Sequence, residues 1–127
     1  MIPPSHHDLL AAPQLAVLST IDAAGFPQST AVFFDFTDGV LRVSITADRS
    51  KYKNLVERPR LSFFVVDPKN PYRTLEVRGT ATLQDDADFS FRNRVSAQYH
   101  FDSAKIDGPA TRRVIVTIHP TKVHARG

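Results

Sequence analysis

The tripeptide Thr37-Asp38-Gly39 constrains this chain more than any other segment. Asp-Gly adopts positive φ at little cost, which makes it a tight hairpin turn. Runs of β-forming residues lie on both sides of it, Gln28–Phe36 before and Val40–Thr46 after. The spacing predicts two antiparallel strands, and with them a sheet built from local hairpins rather than from parallel crossovers.

The remaining punctuation agrees with that prediction. Leu15–Ile21 is expected to form a strand, closed by the turn Asp22-Ala23-Ala24-Gly25. Leu61–Val66 is an almost continuous apolar run, the pattern of a strand covered on both faces, and two prolines make Asp67–Pro71 a rigid loop. Thr74–Leu83 alternates: Leu75, Val77, Ala81 and Leu83 point one way, and Thr74, Glu76, Arg78, Thr80 and Thr82 the other. Gly79 in its middle predicts a bulge or bend. A last strand is expected over Arg113–His119, stopped by Pro120.

Three helices fit between these strands. A short one over Leu9–Ala11 follows the capping-box-like Ser5-His6-His7-Asp8 and ends at Pro13. The second, Ser50–Arg58, carries Tyr52, Leu55 and Val56 as one apolar stripe and stops at Pro59. The third, Asp86–His100, has an acidic start and puts Phe91, Val95 and Tyr99 on one face. Six strands with two or three helices predict a single, mainly β domain with a barrel-like core.

Composition narrows the chemistry. The chain has no cysteine, which removes disulfides, thiolate nucleophiles and cysteine-ligated metals together. Its five histidines form no His-x-x-x-His or His-Glu-x-x-His pattern, so no metal site is expected, and His6 and His7 are placed on an exposed N-terminal helix. There is no Gly-x-Ser-x-Gly elbow, and five glycines leave no room for a Rossmann or P-loop pattern. Asp85, Asp86 and Asp88 stand where a helix N-terminus favours acids, and capping accounts for them. A net charge of +3 suits a small anionic ligand better than a nucleic acid. With no membrane-length apolar run and no secretory signal pattern at the start, the expected location is the cytoplasm.

One junction concentrates anion-binding potential. Arg49 and Lys51 open the second helix directly after Val40–Thr46. A helix start already attracts anions through its unpaired N–H groups and its dipole, and the two cations add a fork and a point charge. The same pair also suits a plain solvated helix face. Small polar residues on the neighbouring strands, Ser29, Thr30, Ser44 and Thr46, would let a flat ring approach the backbone, or serve as ordinary strand surface.

Taken in order, several pieces resemble one family. They are Ala16-Val17-Leu18-Ser19-Thr20-Ile21, Gly25-x-Pro27-Gln28, Asp38-Gly39, Arg49-x-Lys51-x-x-Asn54-Leu55, Arg58-Pro59-Arg60, Val77-Arg78-Gly79 and Arg113–Ile118. Their order and spacing resemble the pyridoxamine-phosphate-oxidase-like, FMN-binding split β-barrels. Within these, the chain is most similar to short actinobacterial enzymes that use the deazaflavin coenzyme F420. The resemblance implies a homodimeric split β-barrel with two cofactor sites at the subunit interface. Arg49 and Lys51 would hold the cofactor phosphate. Gln28, Ser29, Thr30 and Ala31, with Ser44, Ile45 and Thr46 of the paired strand, would line the ring and its ribityl portion. Tyr72, Arg73 and Thr74 match the stretch given by the other subunit, and Asn54 is taken as structural. The implied reaction is hydride transfer from reduced F420 to a small acceptor, with no side chain singled out as catalytic. FMN in an oxidase or flavin reductase of the same fold is the alternative cofactor. A non-catalytic carrier of a planar anion is the alternative role. A deazaflavin tail would want further cations, for which Lys53, Arg58, Arg60 and Arg73 are candidates.

Overall fold

The computed structural model describes residues 1–11 and 13–127. Seven strands form one antiparallel sheet: β1 Ala16–Ile21, β2 Pro27–Val32, β3 Phe34–Thr37, β4 Val40–Thr46, β5 Arg60–Asp67, β6 Asn70–Asp85 and β7 Arg113–Arg126. Their order across the sheet is β2-β1-β5-β6-β7-β4-β3. Three α-helices accompany them, α1 Asp8–Ala11, α2 Ser50–Glu57 and α3 Ser90–Gln98.

The order explains the shape. Only Phe33 separates β2 from β3, yet these strands stand at opposite edges of the sheet. So short a step joins opposite edges only when the sheet curls until the edges approach each other, which makes a split barrel. The core fills the inside of that curl. Leu18, Leu41, Val43, Ile45, Phe63, Val65, Leu75, Val77, Val114 and Val116 are all buried there, each from an inward-facing strand position. Leu55 of α2 closes the same cluster.

The hairpin at Asp38-Gly39 forms as expected, with φ of 54° and 76° at its two residues and β3 paired to β4. The strand expected over Gln28–Phe36 is instead two strands, giving seven rather than six. Its first half pairs with β1 and its second with β4. Propensity is continuous through Phe33, and only closure of the sheet requires the break.

Several other boundaries also move. The expected loop Asp67–Pro71 is a tight turn, and β6 runs from Asn70 across Pro71. The last strand does not stop at Pro120 but continues to Arg126. Pro120 faces Gly79 where the β6–β7 register slips, so its missing N–H falls at a break in the ladder. Gly79 is required there, since a Cβ on it would lie 2.2 Å from the His119 carbonyl oxygen. The run Leu61–Val66 is covered on one face only. Leu61, Phe63 and Val65 are buried, whereas Phe64 is half-buried and Val66 stays 40% exposed on the outer side of β5.

The helices differ in detail. Val56 lies outside the buried stripe of α2 at 53% exposed, and Asn54 takes the inward position. The third helix begins at Ser90, not Asp86. The Asp86 carboxylate accepts hydrogen bonds from the Phe91 and Arg92 N–H groups, the capping role expected of it. No capping box forms at Ser5, whose hydroxyl meets His6 Nδ1 at 2.8 Å. His6 itself is buried, with Nε2 donating to the Arg126 carbonyl at 2.9 Å, so it ties the N-terminal segment to the end of β7. No helix among the described residues is long and apolar enough to cross a membrane.

Candidate functional site

The seam of the curled sheet opens into a groove of ≈ 370 Å³. The β2 side contributes Thr30, Ala31 and Val32, and β4 contributes Ser44, Ile45 and Thr46. Three cations stand around it: Arg49, Lys51 and Arg113.

Each cation is placed by a definite piece of backbone. Arg49 is the N-cap residue of α2 in extended conformation, with no side chain capping the helix and no acid in its first turn. The positive end of α2 thus has no acid within its first turn, and the nearest carboxylate is Asp48, just before the N-cap. Lys51 lies in that first turn, half-buried, and its Nζ donates to Thr30 Oγ1 at 3.3 Å. Burial pushes its ammonium below the ordinary lysine value, and Arg49 and Arg113 push it the same way. Arg113 opens β7 directly across from Thr46, which puts both side chains on the outer face of the sheet. Its Nε and Nη2 donate to Asp107 at 2.9 and 2.8 Å, while Nη1 stands 3.5 Å from Ser44 Oγ. Asp48 is the other nearby acid; Thr46 first, then Arg49 and Arg113, hold its carboxyl below the usual range.

Two neighbouring features support the groove without lining it. Asn54, 6% exposed, donates through Nδ2 to Thr20 Oγ1 and to Gln28 Oε1, both at 3.0 Å. This pins α2 to β1 and β2, a structural role as expected. Gln28 is thereby turned toward α2, beside Ser50, Lys53 and Asn54 rather than into the groove. Ser29 faces outward and pairs with Ser19 at 2.7 Å.

Of the residues singled out from the sequence, Thr30, Ala31, Ser44, Ile45, Thr46, Arg49 and Lys51 thus come together in one groove. Tyr72, Arg73 and Thr74 do not join them within the chain. Tyr72 is 85% exposed, and with Thr74 it borders a separate depression on the outer face of β5, β6 and β7. Arg73 is engaged at home: it donates to Asp8 at 2.6 and 2.8 Å, to Asp67 at 3.2 Å and to the Ser5 carbonyl at 2.6 Å. Those contacts hold the Asp8 carboxyl below its usual range and raise the Arg73 pKa. Arg58 donates through Nε to the Ile21 carbonyl at 2.8 Å, Arg60 borders the outside of β5, and Lys53 lies beside Asp22 and Gln28. None of these lines the groove. Arg113 does, and spacing along the chain did not show it. It is 62 positions beyond Lys51 and reaches the site only through the β4–β7 register. No group of metal-ligating side chains occurs among the described residues.

The curled antiparallel sheet with three cations along its seam defines a split β-barrel with a cation-lined groove. The chain belongs to the pyridoxamine 5'-phosphate oxidase family, whose model matches residues 2–127. In general class it is an oxidoreductase-type split barrel of the flavin- and deazaflavin-related kind. Among solved structures it is similar to an F420 reductase, at 33% identity, covering 97% of this chain and 98% of that one with a TM-score of 0.87. It also shares the fold of a conserved hypothetical protein from Mycobacterium tuberculosis at 23% identity, covering 99% of this chain and 85% of that one, TM-score 0.77. General Stress Protein 26 from Bacillus anthracis has the fold too, at 18% identity, with coverage of 94% and 89% and a TM-score of 0.71. No curated protein matches the chain.

Proposed function

We propose that this protein is an F420-dependent reductase that passes a hydride from the reduced deazaflavin to a small acceptor. The observation that carries the reading is the groove itself. A half-buried lysine, crowded by two arginines and bonded to nothing more than a threonine hydroxyl, sits at a helix start that has no acid in its first turn. A cluster like that costs stability while empty and is relieved by an anion such as a cofactor phosphate. The likeness to an F420 reductase supports the choice of cofactor.

Bound there, the reduced deazaflavin would supply the hydride. The chain's own residues do the positioning. Arg49 and Lys51 fix the phosphate end. Thr30 and Ala31 on one wall and Ser44, Ile45 and Thr46 on the other leave a slot of small side chains for the ring and ribityl portion. Because β2 is an edge strand, alternate N–H groups along it face away from β1 and can donate to the polar edge of a ring. The backbone of Gln28 and Ser29 continues that strand edge, while their side chains engage Asn54 and Ser19. In this reading the molecule is a homodimer, and the partner brings its own Tyr72-Arg73-Thr74 stretch to the groove. The uncovered outer face carrying Phe64, Val66 and Tyr72 is consistent with such pairing.

FMN is the second reading, and one observation favours it. Lys53, Arg58, Arg60 and Arg73, which a long anionic tail would use, do not line the groove. The test is equilibrium fluorescence titration of the purified protein with both cofactors. The expected result is tighter binding of F420; equal or tighter binding of FMN overturns the assignment.

A further inference from the structure

Asp107 lies in the stretch between α3 and β7, with a side chain only 6% exposed. It is held between two arginines. Arg92 of α3 donates to its Oδ2 through Nη1 at 3.1 Å, and Arg113 approaches with Nε and Nη2 at 2.9 and 2.8 Å. Arg92 is itself fixed, its guanidinium 4.2 Å from the centre of the Phe89 ring and its Nε and Nη2 on Asn93. The backbone at Arg113 is also tied down, since its carbonyl accepts from the Asp86 N–H at 2.9 Å.

This arrangement uses up one side of the Arg113 fork and leaves the other free. Nε and Nη2 are committed to Asp107, whereas Nη1 has only the distant Ser44 hydroxyl at 3.5 Å. Nη1 is on the edge of the guanidinium beside the groove that Arg113 lines with Arg49 and Lys51. A buried carboxylate that holds an arginine by two bonds makes its remaining donors preorganised, because the side chain no longer loses rotamer freedom on meeting a ligand.

We infer that Arg113 is a third ligand of the anion in the groove, and that Asp107 is the positioning residue that aims its free Nη1. The inference rests on reading the groove as the seat of a phosphate-bearing cofactor. It adds that the anionic group is enclosed from three elements at once: the segment before α2, the first turn of α2, and the start of β7. It also makes a demand on side-chain type. A lysine at position 113 would spend its one ammonium on Asp107 and offer the groove no directed donor.

The experiment compares ligands with and without the phosphate. FMN is set against riboflavin, and F420 against the phosphate-free ribityl deazaflavin, by fluorescence titration of wild type, Lys51→Gln, Arg113→Gln, Arg113→Lys and Asp107→Asn. Circular dichroism and thermal melts verify that each variant is folded. The expected outcome is that Arg113→Gln and Arg113→Lys both lose about 10- to 150-fold in affinity for the phosphorylated ligands, the range of a charge-assisted hydrogen bond, and less than about 2-fold for the phosphate-free ones. Asp107→Asn loses part of the same phosphate-specific increment, whereas general loosening would weaken both ligands of a pair alike. The inference is overturned if Lys51→Gln loses the increment while Arg113→Gln keeps it. It is equally overturned if Arg113→Lys binds like wild type, since a bare charge then suffices without Asp107. If wild type prefers neither phosphorylated ligand to its phosphate-free partner, the cofactor reading itself fails, a result distinct from the other two.

Discussion

Replacing Lys51 by methionine separates binding from folding in this protein. Methionine keeps the unbranched stem that packs beside Thr30 and removes the ammonium. In the empty protein that ammonium is disfavoured, by burial first and by Arg49 and Arg113 next. Its folded pKa therefore lies below the unfolded value near 10.5, and the unfolded chain binds more protons between the two. The penalty is fully present below the folded pKa and fades as pH rises toward 10.5. Empty Lys51→Met should accordingly melt no lower than empty wild type at neutral pH, and any advantage should shrink with rising pH. Binding goes the other way. Loss of one charge-assisted hydrogen bond, about 1.5–3 kcal/mol, raises Kd roughly 10- to 150-fold. For a loss of about 30-fold, ligand at about 100 times the wild-type Kd stabilises wild type by about 2.7 kcal/mol and the variant by about 0.9 kcal/mol. For a domain of this size the missing stabilisation is about 5–10 °C of ligand-induced shift. Differential scanning fluorimetry with and without cofactor, across pH 7 to 10, reads both halves. A variant that melts several degrees lower when empty, yet keeps the full cofactor shift, would refute the argument and make Lys51 a packing residue.

Two further predictions concern the frame around the groove. Asn54→Ala leaves the buried Thr20 hydroxyl and the Gln28 carbonyl without their donor, at a cost of about 1–3 kcal/mol in urea unfolding. Adding Thr20→Val should recover part of that loss, and strict additivity of the two changes would rule out the proposed pairing. Gly79→Ala drives a Cβ into the His119 carbonyl, so β6 and β7 must part at the bulge; the unfolding free energy in urea should fall by about 3 kcal/mol, and an unchanged value would contradict the close approach.

How much of this was legible in the sequence depends on distance along the chain. The Asp38-Gly39 hairpin, the bulge at Gly79 and the capping role of Asp86 are local, and turn chemistry with residue type predicts them. Arg49 and Lys51 were visible for the same reason, as two cations within one helix start. The boundaries that moved are those where a local stop signal met a tertiary solution. Pro120 would end an ordinary strand, but a register slip opposite Gly79 lets β7 pass through it. The reverse happens at Phe33, where β propensity is unbroken and the chain nevertheless changes edge.

The outer face of β5 and the third cation show what an unbroken apolar run or a lone arginine leaves open. Phe64 and Val66 follow the apolar pattern of a strand covered on both sides, yet in one chain their side faces outward. Arg113 reads as the first residue of a strand and nothing more until β7 is laid against β4, Thr46 falls opposite it, and Asp107 takes hold of its fork. The groove is composite: Arg49 and Lys51 come from one helix start, and the third cation comes from β7, far along the chain. Cations brought this close repel one another; burial first and that repulsion next lower the Lys51 pKa, so holding them in place needs partners from the fold. Here Asp107 restrains Arg113, and Thr30 touches Lys51. The site is therefore completed by closure of the sheet, and any change that opens the β4–β7 register should weaken anion binding before it unfolds the barrel.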